Sequence, residues 1–278
     1  MCTKTTPNAL PRPSIPESLA RLIERARDAD GQPPFSDGSL AQLRAGEKQL
    51  LELDGAAHAY SAAIYSPAEA EFVVDPSERG AGLGTRLLER LLERCEAGVR
   101  IWAHGDHPAA RALAAGHGLL PVRRLLQLRM PVMARTAPDF ERFRPGTDDA
   151  AWVALNAKAF AFHPEQGSVT IAGLAELETE PWFDADDFIV SRDGDALVGY
   201  CWLKIEEGIG EFYVVGVDPE RRGGGLGRRL MDAGFAQLAA RGIHTAALYV
   251  ESDNVPAIGL YRSLGFTEHS VDIQYARR

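Results

Sequence analysis

Between residues 188 and 276 the apolar and polar positions change period repeatedly, and each change predicts a new element. Strand-like runs flank an Asp-Gly pair in "VSRDGDALVGYCWLK", which predicts a hairpin over Phe188–Ile205, and "EFYVVGV" follows as a further strand. Leu226, Leu230, Met231, Phe235 and Leu238 then recur with helical spacing, so that one face is apolar. "AALYV" reads as a strand, Pro256–Leu264 as a helix stopped by Gly265, and the alternating "HSVDIQYAR" as the last strand. Upstream, "FERFR" predicts a short strand. A helix that Asp148 or Asp149 caps runs from there to Phe160, and another covers Val169–Leu177. Such an order predicts an α+β fold, a mixed and mostly antiparallel sheet flanked by helices.

The same order occurs earlier in the chain. "ERGAGLGTRL" (Glu78–Leu87) matches "RRGGGLGRRL" (Arg221–Leu230) at seven of ten positions, and the offset is constant from Asp75/Asp218 to Gly84/Gly227. Further on, "IWAHGDHPAARALAAGHGL" from Ile101 lies over "LYVESDNVPAIGLYRSLGF" from Leu248 at an offset four residues larger, because the second glycine-loop helix and its exit are longer. The hairpin "LELDGAAHAYSAAIY" echoes the one at Phe188–Ile205, again with an Asp-Gly turn. The chain is thus a tandem duplication of a domain of roughly 130 residues, an ordinary size for one core. The expected domains are 1–134 and 139–278, joined in "VMARTAPDF".

Composition narrows the partners. A net charge of -9 over 278 residues argues against nucleic acid or an anionic membrane surface. The N-terminus lacks an apolar signal core and no run is long enough to span a bilayer, so a cytoplasmic protein is expected. Cys2, Cys95 and Cys201 are scattered and read as reduced thiols, and the histidines lack ligand spacing, so no metal is expected. A small molecule is the partner that remains, and the working form is expected to be a monomer.

Three readings compete for the glycine loop. A nucleotide-triphosphate loop needs Lys-Ser/Thr after its last glycine, whereas Gly227 is followed by Arg228 and Arg229. A dinucleotide fingerprint needs its glycines directly after the first strand of a βαβ unit, and here an Asp-Pro corner intervenes. The third is a pyrophosphate cradle, in which backbone N–H groups from Arg222 through Gly223, Gly224, Gly225, Leu226 and Gly227 to Arg228 surround an anion at a helix N-terminus. The plain alternative is a helix start that happens to be glycine-rich.

"VVGVDPERRGGGLG" followed by "NVPAIGLYRSLGF" resembles the Gcn5-related N-acetyltransferase superfamily. Its acetyl-CoA loop is Arg/Gln-x-x-Gly-x-Gly/Ala, and its last helix carries the pattern here filled by Asn254, Ala257, Tyr261, Gly265 and Phe266. The tandem arrangement, with "FAFHPEQG", "GEFYVVGVDP" and "LYVESDNVPA", resembles more narrowly the mycothiol synthase family. That resemblance implies acetyl transfer from acetyl-CoA to the cysteinyl amine of cysteinyl-glucosaminyl-inositol, by a catalytic second domain and a non-catalytic first one. Another amine acetyltransferase of the superfamily and a non-catalytic acyl-CoA sensor are the alternatives.

The resemblance also assigns roles. Glu211 is the general base and Tyr261 the acid that protonates the departing thiolate. The backbone of Val215, Gly216 and Val217 pairs with the pantetheine arm. The helix start Asn254, Val255, Pro256, Ala257, Ile258 and Gly259 also contacts the cofactor. In the first copy Phe72, Val73 and Val74, with Arg79, Gly80, Ala81, Gly82, Leu83 and Gly84, form the equivalent cradle. Acceptor contacts fall on Asp37, Glu165, Lys204, Glu211 and Tyr249; Cys201 reads as a buried structural thiol. Aligned on the Asp-Pro corner, Ala68 stands opposite Glu211, with Glu69 and Glu71 close by, while Ala114 stands opposite Tyr261 and His107 opposite Asn254. In that register the first copy keeps the grip and lacks both acid and base.

Overall fold

A computed structural model describes residues 15–54, 60–133, 135–136, 139–161 and 166–277. The chain packs as two units, Met1–Leu125 together with Ser270–Arg278, and Leu126–His269. The sequence repeat and the packed unit are therefore divided differently, because packing assigns the last strand from Ser270 onward to the first unit.

In the first unit, helices α1 (Glu17–Asp30) and α2 (Asp37–Ala45) precede strands β1 (Gln49–Asp54), β2 (Tyr60–Tyr65) and β3 (Glu69–Val74). Helix α3 (Leu83–Arg94), strand β4 (Arg100–Ala103), helix α4 (Pro108–Gly116) and the start of β5 (Leu120–Pro131) follow. The sheet runs β1-β2-β3-β4 and then β11 (Thr267–Ala276), which pairs antiparallel to β4 from Ile273↔Ala103 to Ala276↔Arg100. Helix α1 buries Leu19, Leu22 and Ala26, three residues on one helical face, against Phe35, Ala62, Ile64 and Val73. Ser36 starts α2 by accepting the backbone N–H of Ser39.

The second unit contains β6 (Glu141–Arg142), α5 (Asp149–Ala159), α6 (Ile171–Leu177), β7 (Phe188–Asp193), β8 (Ala196–Glu206) and β9 (Ile209–Val217). Helix α7 (Leu226–Ala240), strand β10 (Thr245–Glu251) and helix α8 (Val255–Leu264) complete it, and its sheet runs β5-β10-β9-β8-β7-β6. The expected hairpin is β7–β8, turning at Gly194 with φ +59. The Asp-Gly turn expected in the first copy lies outside the described residues from Gly55 on. Helix α7 has 15 residues against 12 in α3, which supplies three of the four residues by which the repeat offset grows. Asp148 stands at the start of α5 but its side chain does not cap it. Guanidinium groups take it instead, Arg192 at 2.7 Å and Arg144 at 3.0 Å, and these charge-assisted bonds outweigh a neutral cap.

Two features fix these sheets. In the second unit Tyr200 is fully buried and donates its hydroxyl to Asn156 at 2.7 Å. Its ring occupies the space beside Gly216, where a Cβ would lie 2.5 Å from ring carbons Cε1 and Cζ. The first unit has a buried polar chain. Glu71 accepts from Ser36 N (2.8 Å), Ser36 Oγ (2.7 Å) and Ser39 Oγ (2.7 Å), and His104 lies between Glu71 (3.5 Å) and Asp272 (3.1 Å). Burial alone would push the His104 imidazolium down, but Asp272 and Glu71 outweigh it and raise its pKa to about 10. Burial would push Glu71 up, but His104 and Ser36 outweigh it and bring it to about 2.

Gly216→Ala should lower stability by about 1–3 kcal/mol in denaturant titration, since the alanine can enter only by displacing a hydrogen-bonded ring; an unchanged midpoint would count against this packing. His104 is raised, so its contribution is complete below its unfolded value near pH 6.5 and is lost as pH climbs toward about 10. Glu71 is lowered, so its contribution is complete above about pH 4.5 and is lost as pH falls toward about 2. Replacing His104 by Leu should flatten the decline in stability between about pH 6.5 and 10, measured by chemical denaturation across that range.

Candidate active site

Beside Glu211 the ladder between β9 and β10 ends. Parallel pairing runs from Ile209↔Thr245 through Gly210↔Ala246 to Glu211↔Ala247, although β9 continues to Val217 and β10 to Glu251. On its other edge β9 pairs with β8 throughout, but the register slips: Trp202 faces Val214 while Leu203 faces Phe212. Tyr213 is the extra residue, and such a bulge bends a strand and re-aims its side chains. The bend opens a gap between β9 and β10 in which Val215, Gly216 and Val217 present the edge facing β10.

The cross-strand pair Lys204↔Glu211 puts both side chains on the face that carries Tyr200 and Trp202, packed toward α5. Tyr249, two residues after Ala247, lies on that face too. Lys204 is buried, 3.1 Å from Glu206 and 5.4 Å from the Trp182 ring centre. Tyr249 is 40% exposed and its hydroxyl accepts from Gln127 at 2.6 Å. Glu211 is half-buried. Glu165 lies outside the described residues.

Tyr261 approaches from the opposite face. It sits on α8 against Phe266, with ring centres 6.0 Å apart, and Phe266 in turn meets Phe212 and the α7 residue Phe235. Burial pushes its phenol up to about 12, with a smaller contribution from Cys201. Cys201 is fully buried and its thiol is pushed up by that burial, so it holds its proton and is no nucleophile.

The glycine loop fits an anion cradle. Gly223 and Gly225 have φ of +85 and +74, the left-handed region that favours glycine, and a Cβ on either would meet nothing within 4 Å. Leu226 begins α7, so the N–H groups of its first turn point into the loop. Arg222 donates to the Ala159 carbonyl at 2.9 Å. Asn254 caps α8 by accepting from Ala257 N, which sets the helix start from Val255 to Gly259 beside the loop's helix, where Gly227 approaches Leu260.

The first unit repeats the backbone and changes the chemistry. Gly80 and Gly82 have φ of +82 and +81, and with Arg79, Phe72, Val73 and Val74 they line a cavity of about 820 Å³. Here Arg79 is held by Asp30 through paired contacts of 2.6 and 2.7 Å. Ala114 stands where α8 has Tyr261. Asp37 is exposed on the first turn of α2 and is not part of the cavity lining.

The register also corrects one expectation. Strand β3 has no bulge, so counting back from the Asp-Pro corner runs one residue short: Ala70 pairs with Tyr65 as Phe212 pairs with Leu203, which sets Glu69, and not Ala68, opposite Glu211. The other edge agrees, since Glu69 pairs with Arg100 and Glu211 with Ala247, and these partners are aligned by the repeat. The first copy thus retains a glutamate at this place, with its carboxylate bound by Lys48 (2.9 Å) and Trp102 Nε1 (3.1 Å). Sequence reading missed Gln127 and Trp182 as neighbours of the site; a buried glutamine in the apolar run "LLQL" was the available sign.

Comparison with known proteins agrees with this geometry. The model of the acetyltransferase (GNAT) family matches residues 54–119 and 150–266. A mycothiol acetyltransferase of Thermobispora bispora is 46% identical over 95% of this chain and 97% of its own length. One from Streptomyces coelicolor is 44% identical over 92% and 89%. Among solved structures, a GCN5-related N-acetyltransferase from Sphaerobacter thermophilus has a TM-score of 0.71 at 23% identity, over 94% of this chain and 91% of that one. A tandem GNAT protein from the clavulanic acid biosynthesis pathway has a TM-score of 0.68 at 13% identity, over 93% of each chain. These two likenesses speak for the fold, and the full-length relatives speak for the family: the chain belongs to the mycothiol acetyltransferases, tandem members of the GNAT family.

Proposed function

We propose that the second unit transfers the acetyl group of acetyl-CoA directly to the cysteinyl amine of cysteinyl-glucosaminyl-inositol, giving mycothiol, with Glu211 as base and Tyr261 as acid. The observation that supports this most is that the β9–β10 ladder ends at Glu211, while Tyr261 packs on Phe266, which meets Phe212 on the other face of the same strand.

The cradle from Arg222 to Arg228 binds the pyrophosphate, and the β9 edge from Val215 to Val217 pairs with the pantetheine arm and leads the thioester into the gap. Glu211 takes a proton from the acceptor's ammonium, directly or through water. The freed amine lone pair forms the C–N bond at the thioester carbonyl, where a β9 backbone N–H steadies the oxygen, and the C–S bond breaks. Tyr261, protonated at neutral pH, donates to the departing sulfur, and the proton that the nitrogen loses as it becomes an amide returns to the phenolate through solvent. Lys204 and Tyr249 hydrogen-bond the hydroxyls of the acceptor, and Glu165 is a further contact that the resemblance implies.

In the first unit Glu69 is bound by Lys48 and Trp102, and the acid is absent, so this copy grips a CoA-type ligand without turnover. Lys48 is buried, and freeing Glu69 from it would cost on the order of 3 kcal/mol.

Glu211→Gln should lower kcat about 100-fold or more and Tyr261→Phe about 10- to 100-fold, with KM for acetyl-CoA little changed. CoA release with the purified pseudodisaccharide measures both, and full activity in the two variants would sink the mechanism. Glu69→Gln should leave kcat within about two-fold of the parent; a tenfold loss in the same assay would assign the first copy a part in the chemistry.

A further inference from the structure

The cavity of the first unit has a polar mouth and an apolar closed end. At the mouth stand the cradle glycines Gly80 and Gly82, both exposed, with Arg79. Leu88, Ile101, Ala114, Leu119 and Tyr275 line the other end, and all five are buried. Two cations in the lining are already matched, Arg79 by Asp30 and His104 by Glu71 and Asp272, so they ask for no charge at the far end of a ligand. An enclosed apolar space of this kind stays dry and takes an apolar group.

The repeat explains where that space comes from. Helices α3 and α4 approach each other as α7 and α8 do: a Cβ on Gly84 would lie 3.2 Å from Leu113 Cδ1, and one on Gly227 would lie 3.9 Å from Leu260 Cδ2. The two helix pairs thus share one frame, in which Ala114 and Leu119 take the places of Tyr261 and Phe266. In the second unit those two rings pack on each other, with centres 6.0 Å apart, and fill the place. In the first unit a methyl and an isobutyl group stand there, and both open on the cavity. The exchange therefore does more than remove an acid. It turns packed aromatic volume into ligand space, continuous with the edge from Phe72 to Val74 that leads in from the cradle.

We infer that the first unit binds an acyl-CoA whose acyl chain is several carbons longer than acetyl, with the chain lying in the closed end beside Ala114 and Leu119. The inference rests on the reading of this copy as a grip for CoA-type ligands, and it names the acyl group that the grip selects. An acetyl group carries only one methyl beyond the thioester carbonyl and leaves most of the end unfilled. Each further methylene buried there strengthens binding about three- to fourfold. The second unit fills the same place with Tyr261 and Phe266, so a longer chain gains nothing from it.

The experiment titrates the full chain by calorimetry, without acceptor, with CoA, acetyl-CoA and hexanoyl-CoA. Two equivalents of CoA should bind. One of the two sites should hold hexanoyl-CoA roughly 10- to 100-fold more tightly than acetyl-CoA, while the other shows no such gain. Ala114→Phe should cut that gain to within about two-fold, because a ring then fills the closed end. It should still bind two equivalents of CoA, as the second unit carries an aromatic ring at the same place. Leu119→Phe fills less space, guards against misfolding of the first variant, and should cut the gain by about threefold or more. The kcat of acetyl transfer should stay within about two-fold of the parent in both variants, which reports that the chain is folded. Two equivalents bound with no gain from hexanoyl-CoA would overturn the inference and leave the CoA grip standing. A gain that persists in full in both variants would place the chain elsewhere and overturn it too. A single equivalent of every ligand would overturn the grip itself, and the inference with it.

Discussion

The site depends on one extra residue in one strand. Tyr213 lengthens β9 against β8, and β9 bends away from β10 just past Glu211. A regular strand would alternate faces and continue its ladder, closing the gap with main-chain hydrogen bonds. The bulge keeps Val214 and Gly216 paired with Trp202 and Tyr200 while restoring Glu211 to the same face beside Lys204. Phe212, between them, turns to the other face, where Phe235 and Phe266 hold it and Phe266 supports Tyr261. The single insertion thus provides both the opening and the wall on which the proposed base and acid stand.

Each copy contains a lysine near its glutamate, and the difference in energy between the two arrangements separates their roles. Lys48 is buried against Glu69 and also donates to Ser39, and disrupting such a pair leaves charge without compensation, at a cost of about 3–5 kcal/mol. Lys204 pairs with Glu206, whose side chain is 54% exposed, and a pair with so much solvent access contributes about 1 kcal/mol or less. Both lysines are buried; the second pair is open to solvent on its Glu206 side, where the first is more enclosed. The cradles differ in the same sense. A pyrophosphate at Arg79 would compete with a bidentate carboxylate from Asp30, whereas at Arg222 it would compete with one carbonyl.

The fold was legible because its signals are local and doubled. The Asp-Pro corner, the glycine loop and the helix of Leu226 to Leu238 give their structure within a few residues, and the repeat let the clearer copy guide the fainter one. What escaped is non-local. A bulge has no composition of its own, so the residue opposite Glu211 was displaced by one, from Glu69 to Ala68. Asp148 has the residue type and place of a helix cap, and only the fold shows that Arg192, far along the chain, reaches it first. The partnership of Gln127 and Tyr249 joins strands separated by 122 residues, beyond what periodicity can reveal.

The acid raises a further question of energy. At about 12, the Tyr261 phenol lies above a simple alkyl thiol near 8.5, so complete transfer to a free thiolate would be uphill by about 5 kcal/mol. That is well below the roughly 13–17 kcal/mol barrier of an ordinary turnover, and the cost falls if donation accompanies C–S cleavage, when charge is still growing on sulfur. Desolvation of the phenol is what raises it, and it also keeps the proton in place throughout the neutral range. In the proposed mechanism Tyr261 is therefore a neutral, permanently protonated donor whose hydrogen bond strengthens as the thiolate forms. Glu211, half-buried on the opposite face, is the group that the proposed mechanism leaves to receive the ammonium proton.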